Sequence, residues 1–294
     1  VFPRYIISAD SLTPVRQAGG PFRAPISDGF ACFACGVAAA IAWSRWRGRG
    51  RAFAGVTVGL CALGTFCSLE RGVWLAAAAG ALAAGMAAPE LRRRVLPAFV
   101  VVAVLIGGAL LAFPSLSGHA SERAADKTPV WDRQNQTHTA FRMIAAYPLF
   151  GVGWDDYVHR STDFFRQAPN IPMTGFSTSQ NPLPLHDSYL SNGVELGLVG
   201  LTMWVCSLLW GLGGAVLAAG PPDLRAWKLG LLAIAVFFCV LAFFDPLQQN
   251  FSELLLWTWA GLCMSGAGAF GVARGAESQL APRWEQLLEG GSAR

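Results

Sequence analysis

Charged side chains in this sequence are spaced so that seven stretches carry none: residues 29–44, 52–69, 72–89, 95–121, 196–222, 229–244 and 254–273. A helix needs roughly 17 to 25 predominantly apolar residues to cross the hydrocarbon of a bilayer, and most of these stretches qualify. The expected fold class is therefore all-α, a polytopic transmembrane helix bundle of about seven spans. The stretches 29–44 and 229–244 are short, so each must borrow flanking residues or cross with little tilt. With 53% hydrophobic and only 14% charged residues, the chain cannot supply seven helices with the polar outer faces that a soluble core requires.

The basic residues lie in alternate connections. Arg45, Arg47, Arg49 and Arg51 share one, Arg92, Arg93 and Arg94 a second, Arg225 and Lys228 a third, and Arg274 and Arg283 follow the last stretch. By the positive-inside tendency these face the cytoplasm. The predicted organisation is an extracytoplasmic segment 1–28, four spans within 29–113, a large extracytoplasmic loop 114–188 containing helices, three spans within 189–273, and a cytoplasmic tail 274–294. A chain that opens on Val1 outside the membrane, without a basic signal region, is expected to be the later portion of a longer protein. The lipid bilayer is then one partner, and no nucleic acid is expected.

All seven cysteines fall in the apolar stretches, where a thiol behaves as a small hydrophobe. Cys32 and Cys35 have C-x-x-C spacing but no second pair, so core packing is expected of them. Asp155 and Asp156 diverge on a turn without further carboxylate or His support. No metal and no cofactor are therefore expected.

The aqueous chemistry collects in the long loop. Thr128-Pro129 predicts a helix start, Tyr147-Pro148 its end, and Gly151-Val152-Gly153 a turn. On that helix Arg133, Thr137, Ala140, Phe141 and Ile144 share a face, while Arg142 lies about 180° from Arg133. Asp187 is placed to cap the next span, which leaves His186 at its mouth and puts Glu195 two turns further along. Gly193, Gly197 and Gly200 allow a neighbour to approach closely.

Three side chains suggest chemistry. Arg71, in Ser68-Leu69-Glu70-Arg71-Gly72, stands at the rim of a helical hairpin, suited either to an anion site or to lipid headgroups. Arg133 offers a second planar fork of donors for phosphate oxygens, or simply a solvated face. His186 abuts a span, and an imidazole titrating near neutrality can take a proton from an attacking hydroxyl.

These residues resemble the bacterial O-antigen ligase and O-antigen polymerase family. Ser68-Leu69-Glu70-Arg71-Gly72-Val73-Trp74-Leu75 is similar to the family's Ser-Arg-Gly segment opening a span, with Glu70 unusual beside the arginine. Arg133-Gln134-Asn135 through Pro148-Leu149-Phe150-Gly151-Val152-Gly153-Trp154 resembles its Arg-led helix running into a Pro-Leu-x-Gly-x-Gly turn. His186-Asp187, nine residues, then Gly197-Leu198-Val199-Gly200 is similar to the ligase motif, with Asp187 where Asn, Ser or Gln is more usual. Phe164-Phe165-Arg166-Gln167 and Met173-Thr174-Gly175 look like exopolysaccharide branches, and Arg16 with Gly20-Pro21-Phe22 resembles the segment before the middle spans.

The resemblance implies a metal-independent glycosyltransferase in the bacterial inner membrane, working on its periplasmic or extracellular side. It would move a polysaccharide unit from an undecaprenyl-diphosphate-linked donor to a hydroxyl of an acceptor glycan, a lipid A core or a protein. His186, Arg71 and Arg133 are the implied catalytic residues. Arg71, Arg133, Arg142, Arg16 and Asp187 are the implied substrate-binding residues. The alternatives are a transporter of a small solute, which predicts charges deep in several spans, and a non-catalytic scaffold of a polysaccharide assembly complex.

Overall fold

The computed structural model describes residues 24–88, 127–172, 184–245 and 251–266, together with single positions between 93 and 125 and residue 268. Among the described residues every regular element is helical. Four helices are long and apolar enough to cross a membrane: α1 (Pro25–Arg45), α2 (Gly48–Cys67), α7 (Gly197–Leu217) and α8 (Leu224–Leu241). A fifth apolar helix, α3 (Arg71–Ala87), is shorter, and α9 covers residues 251–266. The expected span over 95–121 and the segments 1–23 and 271–294 lie largely or wholly outside the described residues, as does Arg16.

Helices α1 and α2 form a hairpin held by small residues. A side chain at Gly36 would meet Cys61 Cβ at 3.2 Å, and one at Gly64 would meet Cys32 Sγ at 2.7 Å. Cys32 and Cys61 thus pack one helix on the other, whereas Cys35, for which core packing was expected too, is exposed. The chain turns from α2 into α3 through Leu69, whose φ of 52° is unusual for a residue with a Cβ. The turn is closed locally: the Ser68 hydroxyl donates to the Thr65 carbonyl, the Glu70 amide to Ser68 Oγ, and the Trp74 indole to the Phe66 carbonyl. Those bonds set the position from which Arg71 begins α3.

Helix α8 lies at the centre. Leu231, Ile234, Phe237 and Phe238 are fully enclosed, and the Phe237 and Phe238 rings meet Phe30 of α1 edge-on at 5.4 and 6.4 Å. Such T-shaped contacts place the positive ring edge on the negative ring face. Helix α3 reaches α8 because Gly80 has no Cβ to collide with the Ala233 carbonyl. Helix α7 contains a π-helical stretch, Leu208–Leu212, and within it Gly211 leaves room for the Trp257 ring of α9.

The long loop builds a second, smaller core from α4 (Thr128–Ala146), α5 (Tyr157–Phe164) and α6 (Ser188–Glu195). Ala140, Met143, Val152, Tyr157, Leu185 and Val194 fill it. The helix expected between Thr128 and Tyr147 is present with Pro129 in its first turn. Asp132, Asn135, Gln136, Thr139, Ala140 and Met143 are buried at helical spacing, whereas Phe141, placed beside Arg133 by angle, is exposed. Angle alone groups residues; it does not say which group packs inward.

Asp187 caps a helix as expected, accepting a hydrogen bond from the Leu190 amide at 2.9 Å. That helix, however, is the short α6, which stops at Leu196 before α7 begins. Gly197 takes φ +68° at the break, and the Leu198 and Val199 amides turn to the carbonyls of Pro148 and Leu149. The Pro148–Trp154 turn thus supplies the acceptors that an unbroken helix would have supplied to the first turn of α7.

Candidate functional site

Three polar segments meet at the end of the bundle where α3 begins and α8 ends. The first turn of α3 contributes Glu70 and Arg71, α4 contributes Arg133 and Gln136, and His186 and Asp187 lead into α6. Residues 242–245, just beyond α8, lie among them.

Helix α6 is fastened to the end of α8 by side chains that satisfy carbonyls left open there. The Ser188 amide donates to the Ala242 carbonyl at 2.7 Å, and its hydroxyl donates to the Asp245 carbonyl at 2.8 Å. The Tyr189 hydroxyl donates to the Cys239 carbonyl at 3.1 Å, and its ring rests on Phe243 at 4.3 Å. From the other side the His186 amide donates to Gln136 Oε1 of α4 at 3.3 Å. His186 is therefore held by its own backbone between α4 and the end of α8.

Arg133 reaches the same place. Its guanidinium carbon stands 5.9 Å from the centre of the Phe244 ring, within the range of a cation–π contact. A side chain at Gly72 would strike Phe244 Cβ at 2.8 Å, so the start of α3 lies directly against this residue. Arg71, between Glu70 and Gly72, is exposed at that edge.

The electrostatics agree with this geometry. Burial pushes the His186 imidazole below its ordinary value, and the nearby Arg133 charge lowers it further, opposed by a hydrogen bond to the Pro184 carbonyl. A neutral imidazole keeps one ring nitrogen as an acceptor. Asp245 is 7% exposed. Burial raises its carboxyl to about 8, with Glu70 raising it and Arg133 lowering it. Burial also pushes the Asp187 carboxyl up, against hydrogen bonds from the Leu190 and Tyr189 amides.

Of the residues expected from sequence, His186 and Arg133 come together electrostatically, Asp187 orders the helix beside them, and the backbone at Arg71 abuts Phe244. Arg142 is turned elsewhere: its guanidinium donates to the Phe164 and Arg166 carbonyls, tying α4 to the end of α5. Glu195, expected two helical turns into the span that Asp187 opens, sits instead at the α6–α7 break. Burial raises its carboxyl against hydrogen bonds from the Asp155 and Tyr157 amides, so it binds the glycine turn. Among the described residues no three His, Cys, Asp or Glu side chains converge on a possible metal position.

Sequence reasoning missed Asp245. The signal was present: it is the first charge after the apolar stretch 229–244, the same rim position that drew attention to Arg71. Asn135 was also missed. Fully buried, it donates to the Pro172 carbonyl at 3.2 Å and accepts from the Ala168 amide at 3.0 Å, and so pins the loop arm over α4.

Apolar helices long enough to span a bilayer, with two arginines and a histidine gathered at one end of the bundle, define a polytopic membrane protein with an anion-suited polar site. A family model for O-antigen ligases matches residues 56–205, just over half of the 294-residue chain, and the chain belongs to that family. The matched region includes Arg71, Arg133 and His186. Membership assigns a membrane glycan-transfer function and a role in polysaccharide biosynthesis. No curated protein and no solved structure matches the chain.

Proposed function

We propose that this protein transfers a glycan from an undecaprenyl-diphosphate donor to an acceptor hydroxyl at the outer face of the bacterial plasma membrane, as a ligase or polymerase. The observation that carries this reading is the placing of Arg133 beside His186: burial first, and then the cation that suits a diphosphate, disfavour the protonated imidazole. One site then holds a base and an anion-binding group without either neutralising the other.

In the step proposed, the acceptor O–H gives its proton to the free ring nitrogen of His186 as its oxygen attacks the anomeric carbon. The new C–O bond forms while the bond from that carbon to the diphosphate oxygen breaks, and the diphosphate leaves with the bonding electrons. Arg71 and Arg133 stabilise the charge that grows on the departing group, which is where preorganised donors contribute most. Asp187 acts by capping α6 and so orienting His186. A single displacement inverts the anomeric centre. Arg16 is assigned to the substrate as well, and the arginines, not a metal ion, carry the phosphate charge. The loop 114–188 forms the extracytoplasmic face between four spans within 29–113 and three within 189–273, with 1–28 outside and 274–294 in the cytoplasm.

The test is glycan transfer by the full-length protein carrying His186→Ala, with membrane insertion checked by expression level. Loss of transfer is expected. Transfer at the wild-type rate would remove His186 as the base.

A further inference from the structure

The turn after α4 carries an apolar surface that neither core absorbs. Phe150 is 76% exposed, Trp154 69% and Leu149 59%. Their outward direction is fixed by the backbone. The Val152 and Gly153 amides donate to the Val194 and Glu195 carbonyls at 2.9 and 3.0 Å, and Gly151, at φ +70°, lies so close to that strip that no Cβ could fit. The turn cannot roll over to hide its rings.

Its depth is fixed as well. The Pro148 and Leu149 carbonyls accept from the Leu198 and Val199 amides, which places the turn level with the first turn of α7. Helix α7 has 21 residues, about 31 Å at 1.5 Å per residue, which matches a hydrocarbon layer of about 30 Å. Gly197 therefore marks one hydrocarbon boundary. Leu198, Val199 and Met203 of α7 are exposed immediately beyond it, so the turn continues a surface already turned to lipid. Trp and Tyr collect at such boundaries because each joins an apolar ring to a polar tip, and Tyr147 and Trp154 fit that position.

We propose that residues 147–154 form a membrane-surface anchor, with Leu149, Phe150 and Trp154 inserted among the lipids of the leaflet nearest the candidate site. The occupant is phospholipid, argued from the depth of the turn and its continuity with the exposed face of α7. The anchor hangs the loop core from the bilayer beside the first turn of α7 and holds α4, with Arg133, at a constant height over the membrane. It requires only that α7 spans a bilayer, and stands or falls separately from the transfer chemistry.

The experiment places a photoreactive benzophenone amino acid at position 150 of the full-length protein in bacterial membranes, with all cysteines retained. Illumination is expected to give phospholipid adducts, found by mass spectrometry. Adducts to another helix of the same chain or to a second protein, in place of lipid, would overturn the proposal. A second arm attaches a nitroxide to Phe150→Cys in a cysteine-free background in lipid nanodiscs. Collision with oxygen is expected to exceed collision with a water-soluble nickel chelate several-fold, whereas Asp163→Cys on the exposed side of α5 should show the reverse. Equal nickel accessibility at the two positions would also overturn it.

Discussion

Arg133 lies over the face of Phe244 with its guanidinium carbon 5.9 Å from the ring centre, and Phe244 in turn rests against Gly72 at the start of α3. One ring thereby connects the loop helix, the end of the central span and the turn that presents Arg71. The contact joins elements more than a hundred residues apart, and it explains how a cation from the loop arrives at a membrane-end site.

Replacing Arg133 by Lys keeps the charge but removes the planar fork and its stacking on Phe244. Transfer is expected to fall on the order of 10-fold with Lys and on the order of 10²- to 10³-fold with Ala, as for loss of a transition-state donor. Steady-state kinetics on a defined lipid-linked donor check this. Wild-type turnover in the Ala variant would remove Arg133 from the reaction.

The rate should depend on pH at both ends. His186 titrates below its ordinary value of 6.5, so the neutral base persists into mildly acidic solution, and the acid limb of kcat/KM should lie below that value. Asp245 titrates at about 8. Its ionisation adds a negative charge beside Arg133 and opposes the anionic donor, which predicts a fall above that pH. In Asp245→Asn the alkaline limb should move upward while the acid limb stays. An unmoved alkaline limb would assign it to another group.

Stability should follow the same carboxyl in the opposite sense to ordinary acid unfolding. A folded value raised from 3.8 to about 8 means that the folded state holds the proton more tightly. The stabilisation is complete below the unfolded value and is lost as pH rises through the folded one. Thermal unfolding between pH 6 and pH 9, taken in about half-unit steps, should show a decline that Asp245→Asn lessens.

Asn135→Ala should loosen the loop arm. The Ala168 amide would lose its acceptor in a buried place, at a cost of about 1–3 kcal/mol. Limited proteolysis should cut sooner near residues 168–172, and Asn135→Asp, which keeps the acceptor, should restore part of the protection.

Gly151→Ala and Gly197→Ala should each disrupt the junction between the turn and the α6–α7 break. Both glycines have positive φ, and both approach backbone atoms of the opposing segment too closely for a Cβ. Strain of this kind costs on the order of 1–3 kcal/mol before any overlap is relieved. Gly213→Ala, in α7 with open space around it, is the control and should leave the melting temperature unchanged.

Much of the site was legible because its residues lie at boundaries that sequence can locate. Arg71 ends one apolar stretch and begins another, His186 precedes one, and Asp187 has the side chain of a cap; each position follows from charge spacing and local hydrogen bonding. Arg133 was visible through the helix that carries it. The partners were not. Asn135 and Gln136 became important by packing against segments 33 and 50 residues away, and no local pattern marks which polar side chain of a helix will find a distant amide.

The sequence alone determined that this chain is a set of apolar helices joined by polar segments, because the need to satisfy every backbone group in lipid leaves little other choice. The tertiary structure decided that α6 and α7 break at Gly197, that Arg142 is spent on holding α5, and that Asp245 enters the polar cluster. Those outcomes depend on which surfaces meet across long stretches of chain, and burial beside another charge, unlike hydropathy, is not a property any residue carries by itself.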